Sequence, residues 1–151
     1  MLETGIVYRV SDLVIEAGAL ILAELRRPGG PRGSGYKAEV DVEIEVMLRQ
    51  GLEQILNCDF VGEETGRHQT GHRYCWVVDP NDGTADFLAG RSGSAVSVGL
   101  LDEGEPVLGV VYAPATPRGS DCLAWQQGMQ SLLRNGRVIA PSKQNRDLKE
   151  T

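Results

Sequence analysis

Apolar residues recur at helical spacing through residues 5–27, where Ile6, Val10, Leu13, Val14, Ala17, Leu20, Ile21 and Leu25 share one face. That spacing predicts an amphipathic helix, and Arg26 and Arg27 suit its C-terminal end. The run Pro28-Gly29-Gly30-Pro31-Arg32-Gly33-Ser34-Gly35 cannot continue it and predicts a mobile loop. A second stripe of Ile44, Met47, Leu48, Leu52 and Ile55 predicts another helix over 39–56. Beyond it the pattern turns strand-like. Residues 60–61 predict a short strand and 76–79 a buried one, with a polar connection over 65–73. A short helical piece is expected over 85–88. Residues 94–101 and 106–112 flank Asp102-Glu103-Gly104-Glu105 and predict a β-hairpin. Residues 121–125 add a strand, and 132–139 a last hairpin closed by Asn135-Gly136. The fold class is therefore α+β: two helices packed on a mostly antiparallel sheet. One lobe over 1–140 is expected, and polar residues 141–151 are expected to fray.

Composition narrows the function. A chain of 151 residues can bury one core, so one domain is the default. Acidic residues outnumber basic ones by 21 to 15, for a net charge of −6, which argues against a nucleic-acid polymer as partner. A small phosphorylated substrate stays open, because a bound metal would locally reverse the sign of the field. No apolar run is long enough to span a bilayer, and Met1-Leu2-Glu3-Thr4 lacks the start of a secretory signal. Cys58, Cys75 and Cys122 are widely spaced, which fits a reducing cytoplasm better than a disulfide framework or a zinc site. His68 and His72, four apart, would chelate zinc only on a helix. Gly66, Thr70 and Gly71 argue against one, so both histidines are expected at the surface.

The chemistry gathers in Trp76-Val77-Val78-Asp79-Pro80-Asn81-Asp82-Gly83-Thr84-Ala85-Asp86-Phe87. Pro80 biases Asp79 toward extended geometry, so the strand is expected to hold to Asp79 and then turn tightly. Across that turn the Asp79 and Asp82 carboxylates converge and repel unless a cation neutralises them. Oxygen ligands suit a hard ion such as Mg²⁺. Gly83 and Thr84 stand where a helix begins, and free N–H groups there bind phosphate oxygens. The plainer alternative for the two carboxylates is a turn with capping side chains.

Asp79-Pro80-Asn81-Asp82-Gly83-Thr84, with Gly62-Glu63-Glu64 upstream, resembles the paired signature of the inositol monophosphatase family of Mg²⁺-dependent, lithium-sensitive sugar and nucleotide phosphatases. The likeness continues through Gly93-Ser94-Ala95-Val96-Ser97-Val98-Gly99, Gly109-Val110-Val111-Tyr112-Ala113-Pro114 and Arg134-Asn135-Gly136, and covers the family's N-terminal half. The resemblance implies that Glu63, Asp79 and the Asn81 carbonyl hold one Mg²⁺, and that Asp79 and Asp82 share a second. It implies that Thr84, with Asp41 behind it, orients the attacking water, and that the Gly83 and Thr84 N–H groups grip the phosphate. The family usually has an aliphatic residue where Asn81 stands, and a Thr before the aspartate where Ala38 stands. Asp41 also lies in a first helical turn, where a carboxylate favours the helix by itself. Lys37 is the candidate for a lysine that members often carry near the site, against the plain reading of a solvated loop residue. Glu64 stays ambiguous, and Asp86 is expected at the surface.

A typical member continues into a second lobe with a Trp-Asp motif, and no Trp-Asp occurs here. The expected function is a Mg²⁺-dependent phosphomonoesterase lobe acting on a small inositol phosphate-like metabolite. It would be completed by a second copy of the chain, as a homo-oligomer, or by a partner chain supplying the lobe. A 3′(2′),5′-bisphosphate nucleotidase-like lobe and a non-catalytic metal-binding module are the alternatives.

Overall fold

In the computed structural model, which describes residues 2–139, the first apolar stripe becomes helix α1 (Ile6–Leu25). Val7, Val10, Val14, Ala17 and Ile21 line its buried face. No side chain of its own caps the start. Instead Gln126 accepts the Val7 N–H at 3.0 Å and donates to the Glu3 carbonyl at 2.7 Å, so a residue 119 positions away satisfies an orphan helix donor. Near the other end, buried Glu24 accepts from Arg32 Nε at 2.8 Å and Nη2 at 3.0 Å. That pair pins the Pro-Gly-rich segment. Rather than a mobile loop throughout, it contains β1 (Gly33–Ser34), paired antiparallel with β2 (Lys37–Ala38).

Helix α2 (Glu39–Ile55) follows and buries Val40, Asp41, Ile44, Glu45, Leu48 and Leu52. Two carboxylates thus sit in an apolar stripe, four residues apart on one face. The remaining chain forms β3 (Asp59–Gly62), β4 (Gly66–His68), β5 (Tyr74–Asp82), α3 (Thr84–Leu88), β6 (Ala95–Asp102), β7 (Glu105–Thr116), β8 (Gly119–Gln126), β9 (Leu133–Arg134) and β10 (Arg137–Val138). Eight strands make one sheet in the order β10-β9-β8-β7-β6-β5-β3-β4. Only β3 and β5 run parallel; the other neighbours are antiparallel. Residues 65–73 are therefore more than the expected polar connection. Their first part, β4, pairs with the outer edge of β3, whose N–H and C=O groups would otherwise stand open. The tail beyond 140 lies outside the described residues.

Both long helices pack on the same sheet face. Inward positions alternate as Trp76 and Val78, Val96, Val98 and Leu100, and Val110 and Tyr112. Each fully buried aliphatic side chain contributes about 1.5–3 kcal/mol. Trp76 keeps its indole N–H satisfied by the Leu56 carbonyl at 3.0 Å. The opposite face leaves Val77, Val111 and Leu123 between 39% and 45% exposed. Among the described residues no helix is long and apolar enough to cross a membrane.

Candidate active site

The sheet delivers the site at the end of β5. The strand does not stop at Asp79, as its proline suggested, but continues to Asp82 through an irregularity. Asp79 stands opposite Ser97 and Asp82 opposite Ala95, with the register shifting between them. Pro80 has no N–H for the ladder, and a bulge is where a strand tolerates that. Asp79 closes the bulge by accepting the Asn81 N–H on Oδ1 at 3.1 Å. Gly83 then takes φ +92°, a left-handed value that a side chain would strain, and turns the chain into α3.

Asp41 meets this bulge from the first turn of α2. It is 1% exposed. Its Oδ1 accepts Asn81 Nδ2 at 2.9 Å, and its Oδ2 accepts Thr84 Oγ1 at 3.1 Å. Thr84 Oγ1 also lies 2.9 Å from the Asn81 carbonyl. A hydroxyl has one proton, so those two acceptors compete for it. Burial pushes the Asp41 carboxyl above the usual range, the Asn81 and Thr84 hydrogen bonds pull it back, and the Asp79 charge pushes it up again.

Glu63 follows β3, and its N–H donates to the Val78 carbonyl at 3.3 Å. Its carboxyl meets that of Asp79. The hydrogen bond they share, then burial, then the charges of Asp79, Glu64 and Asp41 push Glu63 up to about 7. Glu64 is raised as well, chiefly by burial and by Asp41, Glu45 and Asp79, while exposed Lys37 pulls the other way. Asp82 is exposed on the rim of the same cleft, which encloses about 270 Å³ between Tyr36, Glu63, Asp79, Asn81, Thr84 and their neighbours.

Among the described residues no three His, Cys, Asp or Glu side chains converge closely enough to enclose an ion. Glu63 and Asp79 touch, and Asp82 stands outside that contact. The donors are nevertheless all oxygen, and a Glu63 carboxyl pushed up by the neighbouring Asp79 belongs to a set that fits a hard dication. A larger groove of about 400 Å³ between α1 and β8 carries a single carboxylate, Asp12. The smaller cleft is the more acidic of the two, lined by Glu63, Asp79 and Asp82. His68 and His72 are both exposed, as expected.

Two residues of this neighbourhood escaped the sequence. The Asn81 side chain is 2% exposed and turned toward Asp41, whereas the sequence pointed to its carbonyl. Buried Glu45 holds the turn that carries Glu63. A signal existed for it: a carboxylate within the apolar stripe of α2 needs buried donors.

Helices on one face of a mostly antiparallel sheet, with acids gathered where β5 ends, make this an α+β lobe. The model of the inositol monophosphatase family matches residues 7–150, and the chain belongs to that family. It is similar to a probable inositol 1-monophosphatase of Mycobacterium tuberculosis, 34% identical over 117 residues that cover 76% of this chain and 43% of that protein. It is also 38% identical over 93 residues to a 3′(2′),5′-bisphosphate nucleotidase of Shigella flexneri, covering 54% and 37%. The fold matches that of an extragenic suppressor protein of Bartonella henselae with a TM-score of 0.79 at 22% identity, over 93% of this chain and 55% of that one. The chain thus spans less than half the length of those two enzymes.

Proposed function

We propose that this chain is the metal-binding lobe of a Mg²⁺-dependent phosphomonoesterase acting on a small phosphorylated metabolite of the inositol phosphate kind. The observation that carries the reading is the Glu63–Asp79 carboxyl pair in one open cleft with Thr84, whose hydroxyl reaches buried Asp41. Glu63, Asp79 and Asp82 would hold the ion, with the Asn81 carbonyl available once Thr84 Oγ1 turns its proton to Asp41. Bound Mg²⁺ supplies charge neutralisation and water activation at the phosphoryl group. The protein's own groups orient the reaction. Asp41 accepts the Thr84 proton, which leaves the Thr84 lone pairs free to accept from a water aimed at phosphorus. Gly83 and Thr84 open α3, where N–H groups lack intrahelical partners and can hold phosphate oxygens.

A second lobe or subunit completes the substrate walls in this reading. The exposed apolar face of Val77, Val111 and Leu123 supports it, as does the length of the relatives. The test is phosphate release from an inositol monophosphate, a 3′,5′-bisphosphate nucleotide and fructose bisphosphate, with and without Mg²⁺. Mg²⁺-dependent release that is lost in Asp79→Asn supports the reading. Release that survives Asp79→Asn and Asp82→Asn contradicts it. Preference for the nucleotide would favour the nucleotidase reading, for which the likeness to the Shigella enzyme speaks.

A further inference from the structure

Glu45 is fully buried, 0% exposed, with no cationic partner among the ion pairs of the described residues. Its two oxygens are used separately. Oε1 accepts the Glu64 N–H at 3.0 Å, and Oε2 accepts the Thr65 N–H. Gly62 lies directly over the same carboxylate: a Cβ there would fall 2.5–2.6 Å from Cδ and both oxygens. The turn Gly62-Glu63-Glu64-Thr65 is therefore wrapped on one side chain of α2, one helical turn from Asp41. A carboxylate is the side chain that offers two acceptors to two adjacent N–H groups at this reach; an amide of the same shape offers one acceptor and one donor.

We propose that Glu45 is a positioning residue: by holding the Glu64 and Thr65 N–H groups it fixes the turn that aims Glu63 into the acidic cleft. The proposal rests on the metal-binding reading above. It explains why a charge is kept in the α2 stripe although it adds to the negative field around Glu64. It also explains why glycine precedes Glu63, since no other residue leaves room for the Glu45 carboxylate.

The test uses the full chain. Glu45→Gln is expected to lower Mg²⁺ affinity, read by calorimetry, about 10- to 100-fold. Hydrogen exchange at the Glu64 and Thr65 amides should speed up, while amides in the middle of α1 keep their protection. In a Glu63→Gln background the same change should cost little further affinity, because Glu45 acts through Glu63. Gly62→Ala approaches the contact from the other side and should reproduce the loss, which serves if Glu45→Gln fails to fold. Unchanged affinity in both variants, or an equal loss without Glu63, overturns the proposal. A wild-type chain that binds no Mg²⁺ sinks the metal reading and the ligand-aiming role with it. In that case amide exchange alone still decides whether Glu45 holds the turn, and unchanged exchange in Glu45→Gln excludes that too.

Discussion

Carboxyl groups sit at both ends of strands β3 and β5, and the two ends treat them in opposite ways. At one end Asp59, 4% exposed, accepts from the Thr70 hydroxyl at 2.7 Å and from the Thr70, Gly71 and His72 N–H groups at 3.0 Å each. Those donors hold its carboxyl below the usual range. At the other end Glu63 and Asp79 have mainly each other, and Glu63 is pushed up to about 7. Four donors to one buried carboxylate make it part of the fold. Carboxyls crowded against each other in a cleft suit a cation, and perturbed groups there mark candidate sites.

The largest expected effect is catalytic. Asp79→Asn should lower Mg²⁺-dependent phosphate release at least 100-fold, about 2.7 kcal/mol of barrier, while leaving the metal-free Tm unchanged or higher because an amide in that place can still donate to the Glu63 carboxyl. Steady-state rates and melting curves on one preparation check both halves. Asp59→Ala should do the reverse. It leaves the donors of residues 70–72 unsatisfied and should lower Tm by several degrees with Mg²⁺ affinity retained. A fall in affinity matching that of Asp79→Asn would erase the contrast between the two ends.

Acidity separates the two ends by sign. Because the folded-state value of Glu63 is raised from 4.5 to about 7, its contribution is complete below the unfolded value and is lost as pH rises through 7. Asp41 and Glu64 shift in the same direction. Asp59 is lowered from 3.8, so its contribution is present above that value and lost as pH falls through the folded one. Metal-free Tm should therefore decline between pH 5 and 8 and also below pH 4. Glu63→Gln should flatten the upper decline only, and Mg²⁺ should flatten it in the wild type. A flat upper limb in the metal-free wild type would contradict the raised Glu63.

The smallest expected effect is at Asn81. Asn81→Leu removes one donor from Asp41, yet it also removes Oδ1, a buried acceptor without a partner among the described residues. These changes offset, and stability should move by no more than about 1 kcal/mol in chemical denaturation. A loss several times larger would make Asn81 a structural keystone instead.

What could be read in advance followed local rules. The periodic stripes give α1 and α2, and Asn135-Gly136, both at positive φ, closes β9 onto β10 as its turn chemistry implies. Glu63, Asp79 and Asp82, which the family resemblance singles out, line one cleft. The remainder depends on partners distant in sequence. Strand β4 exists because β3 has an edge to cover. The bulge at Pro80 exists because Asp82 finds Ala95 across β6. Asn81 turns inward because Asp41, 40 residues earlier, needs a donor. Periodicity cannot carry such pairings, which only the assembled sheet creates.

The central claim is that Glu63, pushed up by Asp79 beside it, holds its proton more tightly than usual where a dication belongs. Calorimetric titration of the full chain with Mg²⁺ at pH 7, repeated in buffers of different ionisation enthalpy, reads that proton directly. Protons should leave as the ion binds, since the crowding that pushes Glu63 up favours its protonated form until a cation takes its place. The release should disappear in Glu63→Gln. Binding with no proton release, or no binding at all, would contradict the account.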